Sequence, residues 1–388
     1  MRIGFVFDDT LDVNDGVQQH IVILGRELAR LGHHVEYLVG QTRHSPVPNT
    51  HSLANNVMVS FNGNRMRIPV IARRRTLQQA LADGGFDVLD VQSPYSPLMA
   101  GRILSMARPT TGVVATYHIA PTGTWSLFGG KLLALVNGRT HRRVDEVVSV
   151  SDVAALYAKQ TAHVDSTVIA NPVDVKALLA AREQAGAKSI LQLHGHGPHI
   201  VFMGRFVERK GAAIVLEALA WGERHGTFPG GMHVTMAGSG PLLGPCRQQA
   251  TSLRTPIEFT GFVDEQDKAA LLGSADIAVF PSTGGESFGI VILEAIASGA
   301  GVVLAGDNPG YRSTLLNDED ALFTIGSEDP DARARQLAER IGLALSNPAW
   351  AERLHQRQAN LLRRYDVTTV APQMLAVYRR AILVRRHA

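Results

Sequence analysis

Short runs rich in β-branched residues alternate with amphipathic stretches along this chain, and that alternation restricts the fold more than any other feature. Residues 2–7, 34–39, 86–91, 112–117 and 146–150 are short and rich in Val, Ile and aromatic residues, and read as strands. A second series covers 199–203, 233–237, 257–260, 276–280 and 302–304. Helices are expected between them, among others at 17–31, 211–224, 268–272 and 331–345. Alternating β and α makes parallel sheets with both faces covered by helices. Two series therefore predict an α/β protein of two doubly wound, Rossmann-like domains.

The 388 residues suit two or three domains at roughly 150 residues each. The division is expected at 186–198, where Gly, His and Pro accumulate, giving domains 1–186 and 187–366. A last amphipathic segment, 367–388, carries Met374, Leu375, Tyr378 and Ile382 and is expected to cross back to the first domain. A hydrophobic content of 45% against 19% charged residues allows sizeable cores and excludes disorder. A net charge of +3 gives no global footprint for nucleic acid, so no such partner is expected. The single cysteine, Cys246, excludes an intrachain disulfide framework and reads as an inert buried thiol. No apolar stretch of about 18 residues occurs, and the first strand is too short for a targeting segment. A cytoplasmic protein is expected.

The chemistry concentrates at residues 284–299, a Gly-rich loop (Gly284, Gly285, Glu286, Ser287, Phe288, Gly289) opening onto a helix that is apolar nearly all round. Such a helix is deeply buried, yet it carries Glu294 in its middle and Glu286 at its mouth. An unpaired ionised carboxylate there costs on the order of several kcal/mol, so something must bind it. Two carboxylates beside a helix N-terminus, which attracts anions, describe a pocket for a ligand with both hydroxyls and phosphates. A nucleotide-sugar fits.

Arg205 and Lys210 follow the first strand of the second series, at the end where open α/β sheets bind ligands. A guanidinium and an ammonium there can clamp a diphosphate and neutralise it as it departs. Gly16, between the first strand and the first helix, lets backbone amides approach phosphate oxygens. His118 ends an apolar strand, where an imidazole can bond a sugar hydroxyl. Val263, Asp264, Glu265 and Lys268 could edge a nucleobase or form a helix-terminal charge cluster. His20 reads as a satisfied surface group, Asp8 and Asp9 as turn acids, and His194, His196 and His199 as a His-rich linker rather than a metal site. Arg65, Arg67, Arg73, Arg74 and Arg75 precede a helix with Leu77 and Leu81 on one face, and Trp125, Leu127 and Phe128 follow the His118 strand. Basic and apolar residues side by side suit an anionic membrane interface, against the alternative of a solubilising arginine face.

With these motifs in place, the chain resembles the retaining GT-B glycosyltransferases of glycosyltransferase family 4. Glu286 to Glu294 resembles that family's paired-glutamate motif, Gly204-Arg205 with Lys210-Gly211 its diphosphate clamp, and Asn171-Pro172-Val173-Asp174 its interdomain turn. Within the family the chain is most similar to bacterial phosphatidylinositol mannosyltransferases, through Asp12 to His20, Tyr117-His118, 148–152 and 284–291. It departs from them where Asp15 replaces a glycine before Gly16, and where Ile119-Ala120 replaces small hydroxyl residues. The resemblance implies two Rossmann-like domains facing a cleft, and mannosyl transfer from GDP-mannose to a lipid such as phosphatidylinositol. No metal and no cofactor are implied. Glu286 would bind sugar hydroxyls, Glu294 the ribose, Arg205 and Lys210 the diphosphate, and His118 the sugar near its reacting carbon. Val263, Lys268, Ser287, Phe288, Gly289, Ile290 and Gly16 would complete the donor site. Gln18 and Arg73 to Arg75 would lie on the acceptor and membrane side, placing the protein peripherally on the inner face of the plasma membrane. Two alternatives stay open: a UDP-sugar donor with another lipid or soluble acceptor, and a non-catalytic sugar-nucleotide-binding protein.

Overall fold

The structure, a computed structural model, describes all residues except 62–63, 95–97, 121–141, 187–196, 327–328, 330 and 388. Its contacts separate two units, Met1–Pro172 with Val367–Ala388, and Val173–Asp366. Among the described residues, no helix is long and apolar enough to cross a membrane.

The first unit is built on a parallel sheet of β1 (Arg2–Phe7), β2 (His34–Val39), β3 (Thr50–Ser52), β6 (Val88–Gln92), β7 (Gly112–Tyr117), β8 (Glu146–Ser149) and β9 (Thr167–Val168). The strand order is β3-β2-β1-β6-β7-β8-β9, with Ile3 opposite both Val35 and Val88. The order reverses between β1 and β6, so the carboxyl ends of these strands form the crevice where such sheets bind ligands. Helices cover both faces, which explains why the strands are continuous apolar runs. Ile21, Leu24 and Leu28 on the helix Gly16–Arg30 recur at helical spacing and are fully buried in one core with Ile3 and Phe5. Val370, Met374, Val377 and Tyr378 of the last helix, Val367–Arg386, join the same core. The strands β4 (Asn55–Phe61) and β5 (Asn64–Ile71) form a separate antiparallel pair that the strand series did not anticipate.

The second unit has a parallel sheet of β10 (His199–Met203), β11 (His233–Ala237), β12 (Ile257–Gly261), β13 (Ile277–Phe280), β14 (Val302–Gly306) and β15 (Leu322–Phe323), ordered β12-β11-β10-β13-β14-β15. Here the order reverses between β10 and β13, where Ile200 faces Ile277. The division between units falls after Pro172 rather than in 186–198. The helix Val175–Gly186 is the reason: it packs on Glu265–Gly273 and Ile290–Ser298 of the second unit, and Asp174 caps it through Oδ1, which accepts from Ala177 N at 2.8 Å. Composition does not reveal on which sheet a helix packs. The helix Ile290–Ser298 is buried from Ile292 to Ser298, in keeping with its apolar circumference.

One buried acid interrupts the first core. Asp90 of β6 receives hydrogen bonds from Thr116 Oγ1 and Tyr378 OH, each at 2.6 Å. Burial pushes its carboxyl up to about 6, against the opposing effect of Thr116, Tyr378 and Gln92. The folded protein thus holds this proton more tightly than the unfolded chain. The resulting stabilisation is complete below the unfolded value of 3.8 and is lost as pH rises through about 6. At most about 3 kcal/mol is involved. The stability of Asp90→Asn relative to the wild type should therefore improve between about pH 4.5 and about pH 7.5. Thermal unfolding of both proteins across that range checks this, and a constant difference would refute it.

Candidate active site

In the second unit, the loop after β10 ends in a short 3-10 turn, Glu208–Lys210, closed by Gly211. Gly211 has φ 71°, and a Cβ there would run into the carbonyl of Pro281, so only glycine fits. The neighbouring loop after β13 is tied to it by Thr283 N, which donates to Arg209 O at 2.8 Å. This stitching places three donors around one oxygen. Glu286 Oε1 accepts from Lys210 Nζ at 2.7 Å, Ser282 Oγ at 2.7 Å and Arg209 Nη1 at 3.0 Å. The Glu286 side chain is only 14% exposed. Burial alone would raise its pKa, but Lys210, Ser282 and Arg209 together outweigh that and hold it below the ordinary carboxylate value. The second cation on Glu286 is Arg209, which the sequence reading did not single out; Arg205, assigned there to the diphosphate, has an exposed side chain earlier in the same loop. The position of Arg209 beside Lys210 was the available signal.

Glu294, in the middle of the buried helix, has its own cation. Lys268 Nζ lies 2.5 Å from Glu294 Oε1 and 2.8 Å from Glu265 Oε2. Burial opposes the lysine charge, yet the two glutamates outweigh it and its pKa is raised. The two acids that the sequence joins in one motif are thus paired separately, Glu286 with Lys210 and Arg209, and Glu294 with Lys268. Phe288 is a core side chain, edge-on to Tyr365 with centroids 5.5 Å apart. Gly289 caps the helix that begins at Ile290, and Ser287 and Val263 are half-buried. Asp264 caps the helix that carries Lys268 by accepting from Asp267 N at 2.9 Å.

In the first unit, His118 follows β7 and is buried, with Nε2 2.7 Å from Gln92 Oε1 at the end of β6. His20 stands edge-on to it, with centroids 4.9 Å apart, and places Nδ1 2.9 Å from Asn171 Oδ1. His20 is fully buried, which overturns its reading as a surface group: its helix position faces the sheet. Burial lowers the pKa of His20 to about 4 and that of His118 well below 6.5, with His20 adding to the effect on His118, so both rings are neutral at pH 7. Gly16 opens the first helix. Gln18 is buried and donates to Thr10 O at 3.1 Å, which commits it to the loop backbone. Arg73, Arg74 and Arg75 are all exposed at the start of the helix Arg74–Gly84. His199 stacks on His233 at 4.4 Å and meets Thr235 Oγ1 at 2.9 Å, the environment of a core histidine. Trp125, Leu127, Phe128, His194 and His196 lie outside the described residues.

Two doubly wound units, the second with the Glu286 acid–cation cluster at the carboxyl ends of β10 and β13, have the architecture of a glycosyltransferase. A family model for "Glycosyl transferases group 1" matches residues 197–342, and one for "Glycosyltransferase Family 4" matches residues 14–177. The phosphatidyl-myo-inositol mannosyltransferase of Mycobacterium tuberculosis is 33% identical over 97% of this chain and 96% of its own length. A GDP-mannose-dependent alpha-(1-6)-phosphatidylinositol dimannoside mannosyltransferase from the same species is 30% identical over 63% of this chain and 60% of its own. Among solved structures, Anabaena HepE in complex with UDP and glucose aligns with a TM-score of 0.68 at 18% identity, covering 96% of this chain and 98% of the other. The chain belongs to glycosyltransferase family 4, and its fold is GT-B.

Removing Lys268 should expose the cost of an unpaired buried acid. Lys268→Met is expected to lose about 3–5 kcal/mol, because it strands Glu294 in the core. The double variant Lys268→Met/Glu294→Leu should recover most of that loss. Denaturant unfolding of the set decides it: equal losses in the single and double variants would show that the two charges are uncoupled.

Proposed function

We propose that the protein transfers a mannosyl group, with retention of configuration, from GDP-mannose to a phosphatidylinositol-type lipid at a membrane surface. The observation that carries the donor reading is the charge balance at Glu286. Three cations, Arg205, Arg209 and Lys210, stand against two acids, Glu208 in the same loop and Glu286, so the loop and Glu286 together keep a net positive charge beside the amino-terminus of the helix Ile290–Ser298. A diphosphate matches that surplus, and fixed cations with oriented amides stabilise it as it leaves. The three described donors to Glu286 all meet Oε1, which leaves Oε2 as the oxygen for sugar hydroxyls. Glu294 and Lys268 take the ribose and the base edge beside Val263. The amides of Gly289 and Ile290 hold phosphate oxygens; in the first unit, Gly16 is proposed for a phosphate contact and His118 for the sugar. With the leaving group held so firmly, its own oxygen takes the acceptor proton in a front-face displacement, without a glycosyl-enzyme intermediate.

Mannose and phosphatidylinositol are the substrate classes named for the relative that spans nearly the whole chain, and GDP-mannose is named for the second relative. The acceptor reading also has support on the surface of the first unit. Arg73, Arg74 and Arg75 stand at a helix amino-terminus, against the helix dipole and without a side-chain cap, so their charges do not stabilise the helix. Immediately before them, the β4–β5 pair exposes Val57, Met58, Val70 and Ile71, each at least half open to solvent. Apolar residues beside cations suit insertion into an anionic lipid interface. The protein would then bind the membrane peripherally.

GDP should raise the thermal unfolding temperature more than UDP or ADP, since ligand bound only to the folded state stabilises it. With GDP-mannose and phosphatidylinositol vesicles, Lys210→Ala and Glu286→Gln should lower turnover by roughly 100-fold or more. A larger shift with UDP would move the assignment to a UDP-sugar enzyme. Neither transfer nor donor hydrolysis by the wild type would leave a binding protein. Separately, the triple change of Arg73, Arg74 and Arg75 to Ser should weaken binding to anionic vesicles while GDP binding is unchanged. Undiminished vesicle binding would remove these arginines from the interface.

A further inference from the structure

We infer that Gln92, itself oriented by Asp90, fixes the tautomer of His118 and thereby makes His118 Nδ1 a hydrogen-bond acceptor toward substrate. The inference rests on the reading of His118 as a substrate contact; Gln92 and Asp90 are positioning residues that act through it.

A neutral imidazole has one N–H and one bare nitrogen, and its partners decide which is which. His118 Nε2 lies 2.7 Å from Gln92 Oε1, an oxygen that can only accept. Nε2 therefore carries the proton, and Nδ1 is left with its lone pair. The doubly protonated ring is excluded by its surroundings, since burial and the adjacent His20 both disfavour it. The whole assignment then turns on which end of the Gln92 amide faces the histidine.

Asp90 favours the orientation that turns Oε1 toward His118. Two residues apart in β6, Asp90 and Gln92 project from the same face of the strand, which favours the amide N–H₂ on the carboxylate side, although Gln92 Nε2 makes no hydrogen bond. Turning the amide over would set Oε1 against a carboxylate. Asp90 cannot yield, because Thr116 and Tyr378 hold one oxygen each at 2.6 Å. The line runs from Tyr378 on the last helix through Asp90 and Gln92 to His118. It also gives a reason for a carboxylate in the middle of a buried sheet, where an apolar residue would be cheaper. His20 uses its other ring nitrogen, Nδ1, which lies 2.9 Å from Asn171 Oδ1. Held this way, His118 can accept from a sugar hydroxyl and cannot donate to a leaving phosphate through Nδ1. It orients the sugar and is not the acid of the reaction.

Histidine-labelled full-length protein can be examined by long-range proton–nitrogen NMR, with the His118 signal assigned by its loss in His118→Gln. The wild type should show the Nε2–H pattern at His118. In Gln92→Leu the signal should shift to a mixture of tautomers, and kcat for mannosyl transfer should fall roughly 10- to 100-fold with little change in the KM for donor. An Nδ1–H pattern in the wild type would overturn the inference even if the variant does not fold. So would a Gln92→Leu protein that keeps both the wild-type pattern and wild-type turnover. Full activity in His118→Gln would instead count against His118 as a substrate contact, and the spectrum would still decide the role of Gln92.

Discussion

The ionised state of Glu286 is the interaction on which the second unit is organised. A carboxylate this enclosed holds its charge only because two cations and a hydroxyl meet the same oxygen. Each of those donors depends on backbone geometry set elsewhere. The parallel pairing of β10 with β13 puts their carboxyl-terminal loops side by side, and the left-handed turn at Gly211 lets the chain after Lys210 pass close to the Pro281 carbonyl. Asn308 holds the Ser282 carbonyl at 3.0 Å and caps its own helix, which keeps the β13 loop in place from the other side. The sheet thus supplies a crevice, and the crevice supplies a fixed charge pattern. A fixed pattern is what stabilises a departing diphosphate, since nothing has to reorganise when the bond breaks.

The first unit organises its polar residues differently. Its polar residues are buried: neutral His118 against Gln92, neutral His20 against Asn171, and the Asp90 carboxylate between Thr116 and Tyr378. A buried network of this kind is tolerable only when its members have partners, and one of those partners arrives from the far end of the chain. Tyr378 is 288 residues from Asp90 in sequence, so the last helix completes both the apolar core and the polar line beneath His118. The surface of this unit carries the opposite character, with exposed apolar residues on β4 and β5 followed in the chain by exposed helix-start arginines whose charges oppose the helix dipole.

Much of the architecture was legible because parallel strands covered on both faces must be continuous apolar runs. Residues 2–7, 34–39, 112–117, 199–203 and 233–237 form strands over those same bounds. The β4–β5 pair was missed because it lies outside the buried sheets, where no such run is required. The position of Glu294 in a buried helix was also readable, since a carboxylate stands out in an otherwise apolar circumference. The role of Arg209 was not, because in a basic run only the loop geometry tells which guanidinium turns inward. His20 failed for a related reason: its helix has a buried face, but a single histidine on the boundary of that face can lie on either side.

The sequence alone determined the alternation of strands and helices, the two parallel sheets and the residue types gathered at their carboxyl ends, because those follow from local periodicity and from the cost of burying charge. Tertiary structure alone decided the partners. Lys210 and Glu286 are 76 positions apart, Lys268 and Glu294 are 26, and His20 and Asn171 are 151. Such pairs are chosen by which strands lie side by side and which helix covers them. Long-range packing fixes that choice, and no local pattern along the chain encodes it.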